Sequence, residues 1–272
     1  MVTGNNLNKI RVNDLKLILY LDRNTFSYTI FNTQNNCFEH IQSHLINNNT
    51  EDQIRHTIES DINLDSQYTQ TLCVIDSDAS TFIPEALFDK TNVDNYLHFV
   101  SDLNENDETK YVKQQFADCY SIFTINKDLL ACIESKFESI KLKSTASLIV
   151  DYALSFTQLH ENQILTQVNK EHFHITLIQN GEFIFYNKFN FETTTDFIYY
   201  FMNCMQNLSV PANNRKISII SDLDQDDLLF EKLKKYTQIV FVKRPEKFLY
   251  NNAIIEKSTH KNHNLFSQLI CE

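Results

Sequence analysis

The sequence predicts an α/β chain whose second half repeats the element order of its first. Three observations predict this. Apolar residues alternate with period two in several short stretches, as in strands with one buried face. Other stretches place apolar residues three and four apart, as in helices with one buried stripe. The two patterns then come twice in the same order, β-hairpin, β, α, β, α, on either side of residues 144–161.

In the first half, Leu15, Leu17, Leu19 and Leu21 share one face of a strand. Asp22-Arg23-Asn24 turns the chain, and Phe26, Tyr28 and Ile30 alternate in the return strand. Gln34-Asn35-Asn36 leads into a third strand near Cys37 to Ile41. Thr50-Glu51-Asp52-Gln53 reads as a capping box, with Ile54 and Ile58 one turn apart. Leu72 to Ile75 is a buried strand, followed by helical character at Pro84 to Phe88 and Val93 to Phe99. Ser101 to Lys110 is acidic and lacks apolar spacing, so it is expected as a mobile loop. Strand-like segments run from Tyr111 to Ile125. Asn126 then caps a helix with Leu129, Ile133 and Phe137 on one stripe.

A further helix, about Ser144 to Leu159, separates the halves, with Leu148, Tyr152 and Phe156 aligned. Gln163 to Val168 and His172 to Ile178 are strands. Asn180-Gly181 is a strong hairpin signal, because a type I′ turn wants positive φ at both positions. Glu182 to Lys188 returns, and a helix from about Thr195 to Leu208 aligns Phe197, Phe201 and Met205. Ile217 to Ile220 is a buried strand, Asp226 to Tyr236 a helix, and Gln238 to Val242 the closing strand. A duplicated βββαβα pattern predicts two ribonuclease-H-like lobes with mixed sheets. The expected organisation is a flexible N-terminus at 1–14, lobes at 15–143 and 144–250, and a polar tail at 251–272 with a short terminal helix.

The chain has 272 residues, 2 glycines and a formal charge of −11. Average usage would supply about 19 glycines. A GxGxxG turn, a P-loop and a GxSxG elbow each need several nearby glycines, and Gly4 and Gly181 are far apart. The acidic balance argues against a nucleic-acid partner, whose phosphates call for clustered Lys and Arg. The longest basic stretch, Lys232 to Lys235, closes a helix, where cations are favourable anyway. No apolar run is long enough for a membrane helix, and the first residues lack signal-peptide character. The 6 dispersed cysteines form no CxxC pair. They predict a reducing, cytoplasmic setting without disulfides.

Three segments carry a family resemblance: LKLILYLDRNTFSYTIF from Leu15, GEFIFYNKFNFETTTDFIYYFMNCMQNL from Gly181, and KISIISDLDQDDLLFEKLKKYTQIVFV from Lys216. Through them the chain resembles a bacterial domain-of-unknown-function family with an actin-like fold. That fold belongs to the superfamily of sugar kinases, heat-shock chaperones and actin-like division and pilus proteins. The resemblance implies an actin-like ATPase architecture with a nucleotide site between its lobes. Its first phosphate loop, Asp-x-Gly-Thr, corresponds to Asp22-Arg23-Asn24-Thr25, with Asn24 for the glycine. Its second corresponds to Gln167-Val168-Asn169-Lys170, without acid or glycine. Its adenosine loop corresponds to Ser221-Asp222-Leu223-Asp224, again without glycine. The implied nucleotide-binding residues are thus Asp22, Asn24, Thr25, Ser221 and Asp222. Asn24 tolerates a left-handed turn but obstructs close approach of the backbone to phosphate.

Other constellations read as structural. Asp22 and Asp76 end neighbouring strands, as do metal-holding carboxylates of ribonuclease-H-like nucleases, with Glu51 or Asp52 as a possible third. Turn and cap acids are the simpler account. His172 and His174 share one strand face without an evident third ligand, so they read as a solvated face rather than a zinc site. Asp222, Asp224 and Asp226 lack the glycine and terminal acid of a calcium loop and read as helix capping. Tyr199 and Tyr200 cannot both face inward, which puts one in a cleft or on an interface.

The expected function is a non-catalytic actin-like protein acting through an unknown protein partner or self-association. No catalytic residue, metal, resident cofactor, nucleic acid or membrane insertion is expected. A divergent ATPase or kinase using ATP and Mg²⁺ with Asp22 and Thr25 is the alternative, and a metal-dependent nuclease a weaker one.

Overall fold

The computed structural model describes residues 14–46, 51–137, 139–157, 162–208 and 216–272. The chain divides into two compact units. One comprises Met1–Lys113, Asp118–Thr145 and Glu246–Lys257. The other comprises Gln114–Ala117, Ala146–Pro245 and Ser258–Glu272.

In the first unit, strands β1 (Leu15–Asp22), β2 (Thr25–Asn32) and β3 (Cys37–Leu45) form an antiparallel meander. Helix α1 (Glu51–Ser60) leads to β4 (Gln70–Ile75), which pairs parallel to β1. A three-stranded sheet follows, made of β5 (Ser80–Pro84), β6 (Asp107–Lys113) and β7 (Cys119–Asn126), with the short helix α2 (Val93–His98) against it. Helix α3 (Lys127–Lys136) and strand β8 (Ile140–Ser144) return the chain to the main sheet, where β8 lies parallel to β4.

Period-two burial explains the centre of this sheet. Leu15, Leu17, Leu19 and Leu21 form one core with Phe26, Tyr28 and Ile30, covered by Ile54 and Ile58 of α1 and by Leu129, Leu130 and Ile133 of α3. Each fully buried leucine contributes about 2 kcal/mol. Ile18 and Tyr20, on the other face of β1, are buried as well, as befits a central strand. Asn126 Oδ1 accepts the N–H groups of Asp128 and Leu129 and caps α3 as its sequence predicts. The capping box expected at Thr50 lies outside the described residues.

The second unit repeats the topology. Helix α4 (Thr145–Phe156) leads to β9 (Gln163–Val168), β10 (His172–Gln179) and β11 (Glu182–Asn190). Helix α5 (Thr194–Asn207), β12 (Lys216–Ser221), α6 (Leu228–Leu233) and β13 (Gln238–Phe241) complete it. The main sheets run β3-β2-β1-β4-β8 and β11-β10-β9-β12-β13. Each has two antiparallel pairings followed by two parallel ones, so the duplicated ribonuclease-H-like pattern holds strand for strand. Asn180 and Gly181 both take positive φ, 54° and 79°, at the β10–β11 turn.

The structure corrects three expectations. The segment 101–110 is not wholly a loop, because its later part forms β6, paired to β7 from Asp107↔Asn126 to Lys113↔Tyr120. Backbone hydrogen bonds hold this polar strand, and those leave no apolar period in the sequence. The boundaries 15–143, 144–250 and 251–272 do not coincide with the compact units either. Residues 246–257 rejoin the first unit through β14 (Leu249–Tyr250), which pairs parallel to β3 at Cys37 and Phe38, and through the short helix α7 (Asn252–Ile255). Residues 258–272, read as a polar tail with a short helix, do contain the helix α8 (His263–Phe266), but Leu265, Phe266 and Cys271 are buried. A few apolar side chains spaced among polar ones anchor this segment, too few to show as a period.

Candidate functional site

In the first unit, Asp22 pairs with Thr25 across the β1–β2 ladder, leaving Arg23 and Asn24 as a two-residue turn. Asp22 Oδ1 accepts the N–H of Arg23 at 2.6 Å. The Asn24 carbonyl accepts the N–H of Ile46 at 3.0 Å, tying the turn to the end of β3. Among the described residues, positive φ occurs at Asn36, Ser139, Asn180, Gly181 and Asn262, and Asn24 is not one of them. The turn therefore needs no left-handed residue, and the tolerance of asparagine for that conformation is not used here. Beside it, the N–H of Asp76 donates to the Leu21 carbonyl at 2.8 Å, which places the two expected strand-end acids on adjacent strands.

In the second unit, Ser221 is buried at the end of β12. Its hydroxyl donates to the Val168 carbonyl at 2.6 Å and accepts the N–H of Leu223 at 3.1 Å. It thus ties β12 to β9 and closes its own turn. Asp222 Oδ1 accepts the N–H of Asn262 at 2.5 Å. Asp224 forms an ion pair with Lys261 at 2.7 Å, which holds its carboxyl below the usual range. Asp227 Oδ1 accepts the N–H of Leu229 and caps α6. Within the acidic run, then, capping falls to Asp227, while Asp222 and Asp224 bind the chain's own C-terminal segment.

The five residues expected to bind nucleotide thus fall into two groups. Asp22, Asn24 and Thr25 form one turn of the first unit, and Ser221 with Asp222 forms one turn of the second. The remaining expected loop, Gln167 to Lys170, is the β9–β10 hairpin, where the Asn169 N–H donates to the His172 carbonyl at 2.9 Å.

His172 and His174 are buried, not solvated as the strand pattern predicts. His174 Nδ1 lies 2.8 Å from the Tyr186 hydroxyl, and His172 Nε2 lies 2.7 Å from the Asn169 side-chain amide. Period two assigns both rings to one face but does not say whether that face is covered. Rings with polar partners in their own sheet tolerate burial. Tyr199 and Tyr200 both face outward, 64% and 37% exposed, and Tyr200 stacks on Phe189 of β11.

Sequence reasoning misses one polar cluster in the first unit. The buried Tyr28 hydroxyl donates to Asp61 Oδ2 at 2.7 Å and accepts from Asn63 Nδ2 at 3.1 Å. His40 Nε2 lies 3.4 Å from that hydroxyl, and His44 Nε2 lies 3.4 Å from Asp61 Oδ2. Burial, then the bond to Asp61, pushes the Tyr28 phenol well above its ordinary range, so it stays neutral and donates. A faint signal existed: alternation puts Tyr28 on the core face with Phe26 and Ile30, where a hydroxyl needs a partner.

The 6 cysteines are free thiols, and all but Cys37 are buried. Burial pushes the Cys204 thiol up to about 11, which leaves it protonated and inert. No helix among the described residues is long and apolar enough to cross a membrane.

Comparison with known proteins agrees with this architecture. A family model described as Protein of unknown function (DUF3822) matches residues 4–240. No curated protein matches the chain. Among solved structures, the chain is similar to a protein of Bacteroides thetaiotaomicron VPI-5482 described as having an actin-like ATPase fold and unknown function. The two are 18% identical with a TM-score of 0.81, over 99% of this chain and 100% of that one. The chain is also similar to a structure of the PilM-PilN type IV pilus biogenesis complex, at 6% identity and a TM-score of 0.62, over 94% of this chain and 98% of that one. The fold is that of the actin-like ATPases.

Proposed function

The chain belongs to the DUF3822 family, described as of unknown function, and from that premise we propose that it is a non-catalytic actin-like protein that works by binding another protein. One observation carries this reading: the loop that would meet adenosine is engaged by its own chain. Ser221 is committed to Val168 and Leu223, Asp222 to Asn262, and Asp224 to Lys261. The scarcity of glycine supports the same reading. Gly181 serves the β10–β11 turn, so it stands in none of the loops where backbone would approach phosphate.

A binding role asks nothing unusual of this fold, which also occurs in the PilM-PilN complex. The exposed pair Tyr199 and Tyr200 offers the aromatic surface that protein interfaces favour. Asp22 and Thr25 keep the acid and hydroxyl of the first phosphate loop, and a divergent ATPase or kinase is the reading they would serve.

Thermal unfolding with millimolar ATP or ADP and Mg²⁺ separates the two. A ligand at a hundred times its Kd stabilises the folded state by about 2.7 kcal/mol and raises the midpoint. We expect no rise. A rise, together with Mg²⁺-dependent hydrolysis that Asp22→Ala abolishes, would establish the enzyme instead.

A further inference from the structure

The C-terminal residues 258–272 are held to the second unit in two opposed ways. The chain leaves that unit after Pro245 and returns at Ser258. The return is tied at its entrance: the Arg244 N–H donates to the Thr259 carbonyl at 2.8 Å, and the Arg244 guanidinium to the Ser258 carbonyl at 3.2 Å. Three consecutive residues then clasp the loop after β12. His260 Nε2 lies 3.0 Å from the Leu223 carbonyl, and its Nδ1 lies 3.1 Å from the Gln225 amide nitrogen. Lys261 pairs with Asp224, and the N–H of Asn262, in left-handed conformation at φ 60°, donates to Asp222. The ion pair of this clasp is wet, with the Lys261 and Asp224 side chains 32% and 72% exposed, whereas His260 is buried. An ion pair so exposed is weak and easily broken.

Beyond the clasp the segment turns inward. Leu265, Phe266 and Cys271 anchor it, and the Tyr152 ring stands edge-on to His263 at 4.5 Å. Yet His263 and Asn264 are buried, the Asn264 amide oxygen without a hydrogen-bond partner among the described residues and the His263 ring with only the Lys243 backbone as a polar neighbour. Burial pushes His263 down to about 3, opposed only in part by the nearby Lys243 backbone. Buried polar groups without partners oppose burial, so the apolar anchors work against part of their own segment.

We propose that residues 258–272 form a releasable strap, which detaches from the second unit as one piece and opens the loop 222–225 while the sheet stays folded. Release frees the Asp222 and Asp224 carboxylates and the Leu223 carbonyl from their in-chain partners. The strap does not depend on the absence of nucleotide binding.

Hydrogen–deuterium exchange of the full chain, read by mass spectrometry, tests this. Amides of 258–272 and 222–225 should exchange together, at least tenfold faster than those of β9, β10 and β12. His260→Ala removes both its bonds to the loop and should speed exchange in both segments about tenfold, the sheet keeping its rate. His263→Leu keeps the anchor without the buried ring nitrogens and should slow the strap. If His260→Ala does not fold, Lys261→Glu should speed the same two segments several-fold, and adding Asp224→Lys should reverse the gain. Strap exchange that accelerates only along with β9 and β12, or without the loop, would overturn the proposal.

Discussion

The two main sheets share one strand order but are finished differently. In the first unit the start of β3 pairs with β14, and the core face of β2 contains a hydrogen-bonded tyrosine, Tyr28 with Asp61 and Asn63. In the second unit no described strand lies beyond β11, and the core is an aromatic stack in which Phe173 meets Phe189 at 5.1 Å and Phe197 at 4.9 Å. The edge strand β11 instead has a register shift opposite Leu177 and Ile178 and a lysine at Lys188, both of which discourage stray pairing. The same topology is thus compatible with a polar network in one core and an oily one in the other. The strand order requires buried faces, not particular chemistry.

The comparison can be broken most sharply at the cores. Phe173→Ala should destabilise the second unit by about 3–5 kcal/mol, since a fully buried ring leaves a cavity. Denaturant unfolding followed by segment-resolved exchange should place that loss in β9–β13. A loss shared equally by β1–β4 would show that the two cores are one cooperative unit. Tyr28→Phe should cost about 1–3 kcal/mol and place its loss in the first unit, because Asp61 and Asn63 lose their buried partner. A neutral outcome would mean that the cluster is solvated and the two cores are energetically alike.

Acid should separate the units next. His263 is pushed down to about 3 in the folded chain, against about 6.5 when unfolded. Between these values the unfolded chain binds a proton that the folded chain refuses, so this contribution to stability falls as pH drops from about 6.5 towards 3. From pH 7 to 5.5 the loss is about 1 kcal/mol. Urea midpoints across that range should fall, and His263→Leu should flatten the part of the slope borne by the second unit. An unchanged slope in that variant would remove His263 from the account.

The smallest test compares the counterpart helices α3 and α6, capped by Asn126 and Asp227. Alanine at either cap should cost about 1 kcal/mol. Matched losses would extend the equivalence of the two halves from topology to local energetics, and a large mismatch would end it.

What could be read in the sequence follows from the range of each interaction. The leucines of β1, the Asn126 cap and the Asn180-Gly181 turn all depend on neighbours within a few residues, and each was legible. Strand β6 was hidden because its pairing is backbone-made and its side chains polar. Strand β14 was hidden because it has two residues and a partner more than two hundred positions away. The candidate loops were locatable by resemblance, but their occupants were not. Nothing near Asp222 or Asp224 announces Asn262 and Lys261, which arrive some forty residues later. Likewise Tyr28 finds Asp61 across thirty-three positions, a distance at which no local pattern survives.

The late arrival of β14 also bears on how the chain is made. Synthesis runs from the N-terminus, and domains tend to fold as they emerge. Here β1 to β8 are available once Ser144 has been added, yet the strand that pairs with the start of β3 arrives only with Leu249 and Tyr250. For about a hundred residues of translation the nascent first unit presents the start of β3, at Cys37 and Phe38, as a bare edge, open to any extended segment that passes. A ribosome-bound chain stalled before residue 249 should therefore be more prone to aggregation and to chaperone capture than one released complete.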